Sequence, residues 1–84
     1  MESKELKRLA EKYSLEQLET CISQQLEKGE NACELVDEED KVIAELSEAT
    51  VVRELMNSGM KFSEALRELG RRIRTIYSKD ENNK

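Results

Sequence analysis

The chain has 84 residues, with 14 basic and 19 acidic side chains, a net charge of −5, no histidine and no proline. That length makes one small domain with a thin core, and the abundance of Leu, Glu, Lys, Arg and Ala with few aromatics makes it all-α. No stretch reaches the ~18 apolar residues of a membrane span, and no apolar segment follows the N-terminus as a secretory leader would. A cytoplasmic location with no membrane partner is therefore expected. Without histidine the usual general base near neutral pH is missing. There is also no G-x-S-x-G, phosphate loop or dinucleotide fingerprint, so no enzyme activity and no cofactor are expected.

In chain order, Ser3 can cap a short first helix with Leu6, Leu9, Ala10 and Tyr13 as its stripe. Its length predicts fraying. Ser14-Leu15-Glu16-Gln17 fits a capping box, with Tyr13 placed to staple onto Leu18. Leu15, Leu18, Ile22 and Leu26 predict the buried seam of this second helix, and Gly29 stands at the spacing of a left-handed C-cap. Residues 30–36 read as a loop. Asp37 can cap a third helix whose first turn, Glu38-Glu39-Asp40, suits the helix dipole. Its apolar face, from Val42 to Met56, is wide enough for a central helix that touches several neighbours.

Asn57-Ser58-Gly59 ends that helix, and Met60 can fold back on Leu55 in a Schellman motif. A fourth helix is expected from Ser63 to about Ser78, with Ala65, Leu66, Leu69, Ile73, Ile76 and Tyr77 on the face that Phe62 begins. Gly70 flanks this stripe and suggests close approach of a neighbouring helix. The expected architecture is three main helices and a shorter N-terminal one. They should form an orthogonal or bundle-like domain over residues 1–79, with a glycine-turn corner at 57–63 and a disordered polar tail at 80–84. The expected core is Leu15, Leu18, Ile22, Leu26, Leu46, Val52, Leu55, Leu66, Leu69 and Ile73. A core this thin makes a homodimer, through the first or third helix, a natural way to bury leftover apolar surface.

Cys21 and Cys33 are twelve residues apart, outside any C-x-x-C pair. In a reducing cytoplasm they read as two thiols. A disulfide would require the second helix to fold back against its own exit loop. Lys28 or Arg53 could depress a thiol pKa if either lay close by. The acidic run Asp37-Glu38-Glu39-Asp40 has no calcium-loop spacing, and no metal site is expected.

Charge is polarised along the chain. Residues 1–52 carry six basic and fourteen acidic side chains, while residues 53–79 carry seven and three. Arg67, Arg71 and Arg74 cluster opposite the apolar stripe of the fourth helix. They form a candidate basic strip for an acidic partner. The competing reading is a solvated face, because Glu64–Arg67, Glu68–Arg71 and Glu68–Arg72 have helical pair spacing.

Residues 59–69, Gly-Met-Lys-Phe-Ser-Glu-Ala-Leu-Arg-Glu-Leu, resemble a stretch of MerR-type regulators. That likeness implies a DNA-binding helix-turn-helix, with Arg53 and Lys61 assisting the strip. Ser63 and Glu64 at the start of the would-be recognition helix, and the acidic net charge, speak against nucleic acid. Three blocks, Lys12-Tyr13-Ser14-Leu15-Glu16-Gln17-Leu18-Glu19, residues 52–60 and Glu64-Ala65-Leu66-Arg67-Glu68-Leu69 with Arg71-Arg72-Ile73-Arg74, resemble a family of small bacterial all-helical proteins of unknown function. The resemblance implies the fold and no activity. The functional expectation is a non-enzymatic protein-interaction module, with the DNA-binding helix-turn-helix as the alternative.

Overall fold

The computed structural model describes the backbone of residues 3–82 and the side chains of residues 4–73. Among the described residues there are four helices: α1 Ser3–Lys12, α2 Leu15–Lys28, α3 Glu39–Asn57 and α4 Phe62–Asn82. The predicted all-α class is the observed one. Each of the other three helices makes its main contacts with α3, the central role that its broad apolar face predicted.

Helix boundaries follow local chemistry. The Ser14 side chain accepts from the Gln17 N–H at 3.1 Å, and Gln17 Oε1 accepts from the Ser14 N–H at 2.8 Å. Both halves of the capping box are thus present. Gly29 closes α2 at φ 75°. At the end of α3 the Gly59 N–H donates to Met56 O at 3.0 Å and the Met60 N–H to Leu55 O at 3.2 Å, the paired bonds of a Schellman motif. Gly59 has φ 115°, which side-chain-bearing residues rarely adopt.

Two starts differ from the sequence reading. Asp37 does not cap α3: its Oδ1 accepts from the adjacent Glu38 N–H at 2.8 Å, and Glu38 occupies the cap position without a side-chain cap bond. The acidic first turn, Glu39 and Asp40, is sufficient there because the dipole favours negative charge. Helix α4 begins at Phe62, one residue early, and Glu64 Oε1 accepts from the Lys61 N–H at 2.9 Å. The carboxylate expected to pair with Arg67 therefore serves the helix start. At its far end α4 runs past Ser78 to Asn82, into the segment read as tail, while Asn83 and Lys84 lie outside the described residues. The side chains of Ile76 and Tyr77 also lie outside them.

The core corrects three expectations. Helix α1 is no frayed appendage, since Leu6, Leu9 and Ala10 are essentially inaccessible. Leu26 is not in the core but 65% exposed. Leu18, Cys21 and Gln25 face inward instead, and Leu26 lies a further 100° around the helix. Among the described residues, Gly70 has no neighbour within 4 Å of the position its Cβ would take, so close packing by one of their helices does not account for it. Leu18, Leu46, Val52 and Leu69 are buried as expected, with Ile22, Leu55, Leu66 and Ile73 half-buried against them and Leu15 also half-buried.

Candidate functional site

Arg67 and Arg71 lie one turn apart on α4, and both are exposed. Arg67 forms no ion pair among the described residues. Arg71 is held by Glu68 through two bonds, Nε to Oε1 at 2.9 Å and Nη2 to Oε2 at 2.6 Å. Arg72 adds Nε to Glu68 Oε2 at 2.9 Å. Hydrogen bonds from Arg71 and then Arg72 pull the Glu68 carboxyl down to about 2, and Glu68 raises the Arg71 guanidinium in turn. The strip is therefore partly the solvated face that helical pair spacing suggested. Arg74, the third predicted member, has its side chain outside the described residues.

Arg53, which the sequence also singled out, has structural partners. Arg53 Nη1 donates to Ala10 O at 2.9 Å and Nε to Asn57 Oδ1 at 3.1 Å. It thereby ties α3 to the last turn of α1, where a cation suits the orphan carbonyls. Neither Arg53 nor Lys28 acts on a thiol, because Cys21 and Cys33 are bonded to each other. This corrects the reading of two thiols: the exit loop does fold back on α2, with the cysteine Cα atoms 6.1 Å apart.

The reason lies in a polar network at 31–35. Asn31 Oδ1 accepts from the Cys33 N–H at 3.0 Å and from the Leu35 N–H at 3.4 Å, bending the chain in an Asx turn. Asn31 Nδ2 donates to Leu35 O at 3.0 Å and to Oε1 of the buried Gln25 at 2.9 Å. Gln24 Oε1 accepts from the Ala32 N–H at 2.9 Å. From α1, Arg8 Nη2 donates to Cys33 O at 3.2 Å while the same guanidinium pairs with Glu5. Lys12 pairs with Glu34 at 3.1 Å, and Glu34 holds φ 58°. Cys33 is thereby driven fully into the core. The sequence signal that could have found this is Asn31-x-Cys33 downstream of the paired amides Gln24 and Gln25.

Two surface features flank the network. A groove of about 540 Å³ between the start of α2 and the loop is lined by Tyr13, Gln17, Thr20, Cys21 and Ala32, among others. On the opposite helix, burial and then the Glu5 and Asp37 charges push Glu45 up, and burial and then Glu45 push Glu48 up. No group of three or more His, Cys, Asp or Glu side chains among the described residues could hold a metal ion, and no described helix is long and apolar enough to cross a membrane.

No curated protein and no solved structure matches the chain. A family of unknown function, DUF6952, matches residues 1–78. With nearly the whole helical domain covered by that match, including α1, the cysteine-bonded loop and the arginine turn of α4, the chain belongs to this family of unknown function.

Proposed function

We propose that the domain is a non-enzymatic protein-interaction module that offers the arginine face of α4 to an acidic partner. One observation carries the reading: exposed Arg67, with no ion pair among the described residues, sits one turn from exposed Arg71 in the half of the chain that carries net positive charge. A helix that rests mainly on α3 leaves its opposite face to a partner. Desolvation costs a guanidinium less than an ammonium, and its planar fork matches carboxylates. The acidic first half makes a second copy of the chain one candidate partner, and light scattering across the micromolar range tests for it.

The main experiment is a pull-down with the wild type and with a variant carrying Arg67→Glu, Arg71→Glu and Arg74→Glu. The reading expects a retained protein that the variant loses while its circular dichroism is unchanged. A variant that keeps every partner reduces the strip to a solvated face. Duplex DNA at low salt is the contrasting probe. A DNA-binding helix-turn-helix would bind it with affinity that falls steeply as salt rises, whereas the interaction module leaves it free.

A further inference from the structure

Independently of the arginine face, the connection from Gly29 to Glu38 has features of a segment built to be released. Loops between helices are ordinarily mobile, and this one is fastened by one covalent bond and a set of polar contacts. The contacts from Gln24, Lys12 and Arg8 are all exposed or only part-buried, so water can replace them, and of the Asn31 bonds only the one to Gln25 Oε1 reaches a buried residue. The loop gives the core little apolar surface: Cys33 is buried and Leu35 half-buried, but Val36 is 94% exposed. Glu34 adds a left-handed φ of 58°, a conformation that a non-glycine residue adopts only when its surroundings impose it. The disulfide is therefore the dominant fastening.

Its two cysteines are not equivalent in access. Cys33 is fully buried, whereas Cys21 retains 3% exposure and lines the 540 Å³ groove between Tyr13, Gln17, Thr20 and Ala32. We propose that the Cys21–Cys33 bond is a reducible latch that a small thiol reductant opens by attack on Cys21 through this groove. Opening releases segment 29–38 while the four helices stay packed. The reductant thiolate forms a bond to Cys21 Sγ as the S–S bond breaks. The electron pair leaves on Cys33 Sγ, which takes up a proton. A second reductant thiolate then attacks the reductant's sulfur in the mixed disulfide, forming the oxidised reductant, and the electron pair leaves on Cys21 Sγ, which takes up a proton. The protein disulfide gains two electrons, and two thiols become one disulfide. Cytosolic thiol pools keep most cysteines reduced and oxidising compartments keep disulfides closed, so the state of the loop would report the compartment or its redox poise.

The test uses the full chain in its disulfide form, treated with reduced glutathione and quenched early with an alkylating agent. Peptide mapping should find glutathione on Cys21 and the alkyl group on Cys33. Glutathione on Cys33 instead, or no reaction until denaturant is added, overturns the latch. Failure of a mild oxidant to form the bond in the purified protein also overturns it. Amide hydrogen exchange of the fully reduced protein provides the second readout. Exchange at Cys33 and Leu35 should accelerate at least about tenfold more than at Leu46 and Ala49. Equal acceleration at all four would mean that the bond only staples the whole fold, and no change at the loop would mean that it holds nothing. A Cys21→Ala, Cys33→Ala chain should match the reduced protein and ignore glutathione. If that variant fails to fold, the reduced wild type still decides the outcome.

Discussion

Arg53 shows how one side chain can be claimed by architecture when its charge suggests binding. Its guanidinium holds Ala10 O and Asn57 Oδ1, and hydrogen bonds made by charged groups contribute about 1.5–3 kcal/mol each. The bond to Asn57 is exposed and adds little, so Arg53→Ala should lower the unfolding free energy by about the 1.5–3 kcal/mol of the part-buried Ala10 bond alone. Arg53→Lys should recover only part, because an ammonium cannot fork between the two acceptors. Urea unfolding of the three chains measures this, and an unchanged midpoint for Arg53→Ala would show that the clamp is energetically idle.

The acidic side chains separate by environment. Glu68, held at about 2 by Arg71 and Arg72, is charged at neutral pH in the folded and unfolded chain alike. Its lowered folded value favours folding above the ordinary carboxylate range. That contribution fades as pH falls through that range toward 2. The exposure of its two arginine partners makes the effect small and sensitive to salt. An NMR titration should place the Glu68 midpoint near 2 and return it toward the ordinary range when Arg71 and Arg72 are both alanine. Glu48 has the opposite sign: burial raises it, so its charge opposes folding at neutral pH and the opposition vanishes as the group protonates. Glu48→Gln should raise the melting temperature at pH 7 and leave it unchanged at pH 3. An equal gain at both pH values would contradict the burial explanation.

Among the elements, the starts and stops of α2 and the end of α3 were readable because they depend on neighbours in sequence. A serine three residues before a glutamine suffices for a capping box, and a glycine suffices for a left-handed turn. Gly70 shows where pattern reading exceeded its reach. Among the described residues a methyl group there meets nothing, so Gly70→Ala should stabilise α4 by about 0.5–1 kcal/mol. Thermal unfolding of this single variant is decisive, since a loss of stability would reveal a close approach after all. Leu26 was placed in the core because it continues the Leu15, Leu18, Ile22 spacing. That spacing cannot say which flank of the stripe a neighbour covers. The partner of α2 on the other flank is the Asn31–Leu35 loop, which draws Cys21 and Gln25 inward.

For the whole molecule, α3 is the hub, and residues that seal it against its neighbours carry the stability. Leu69, 7% exposed on α4, should lose about 2–5 kcal/mol on truncation to alanine, most of what a single core of this size supplies. Retention of the wild-type melting temperature by Leu69→Ala would displace α4 from the core. Sequence alone determined the class, the four helices, the caps at Ser14 and Gly29, the Schellman turn at Gly59 and the central rank of α3. Each of these rests on local propensity or on apolar periodicity, which act within a few turns of chain. Tertiary structure alone decided that α1 is core, that Arg53 clamps it, and that Cys33 meets Cys21. These outcomes depend on which groups meet across elements, and residue spacing carries no information about a partner supplied by another helix or by a folded-back loop.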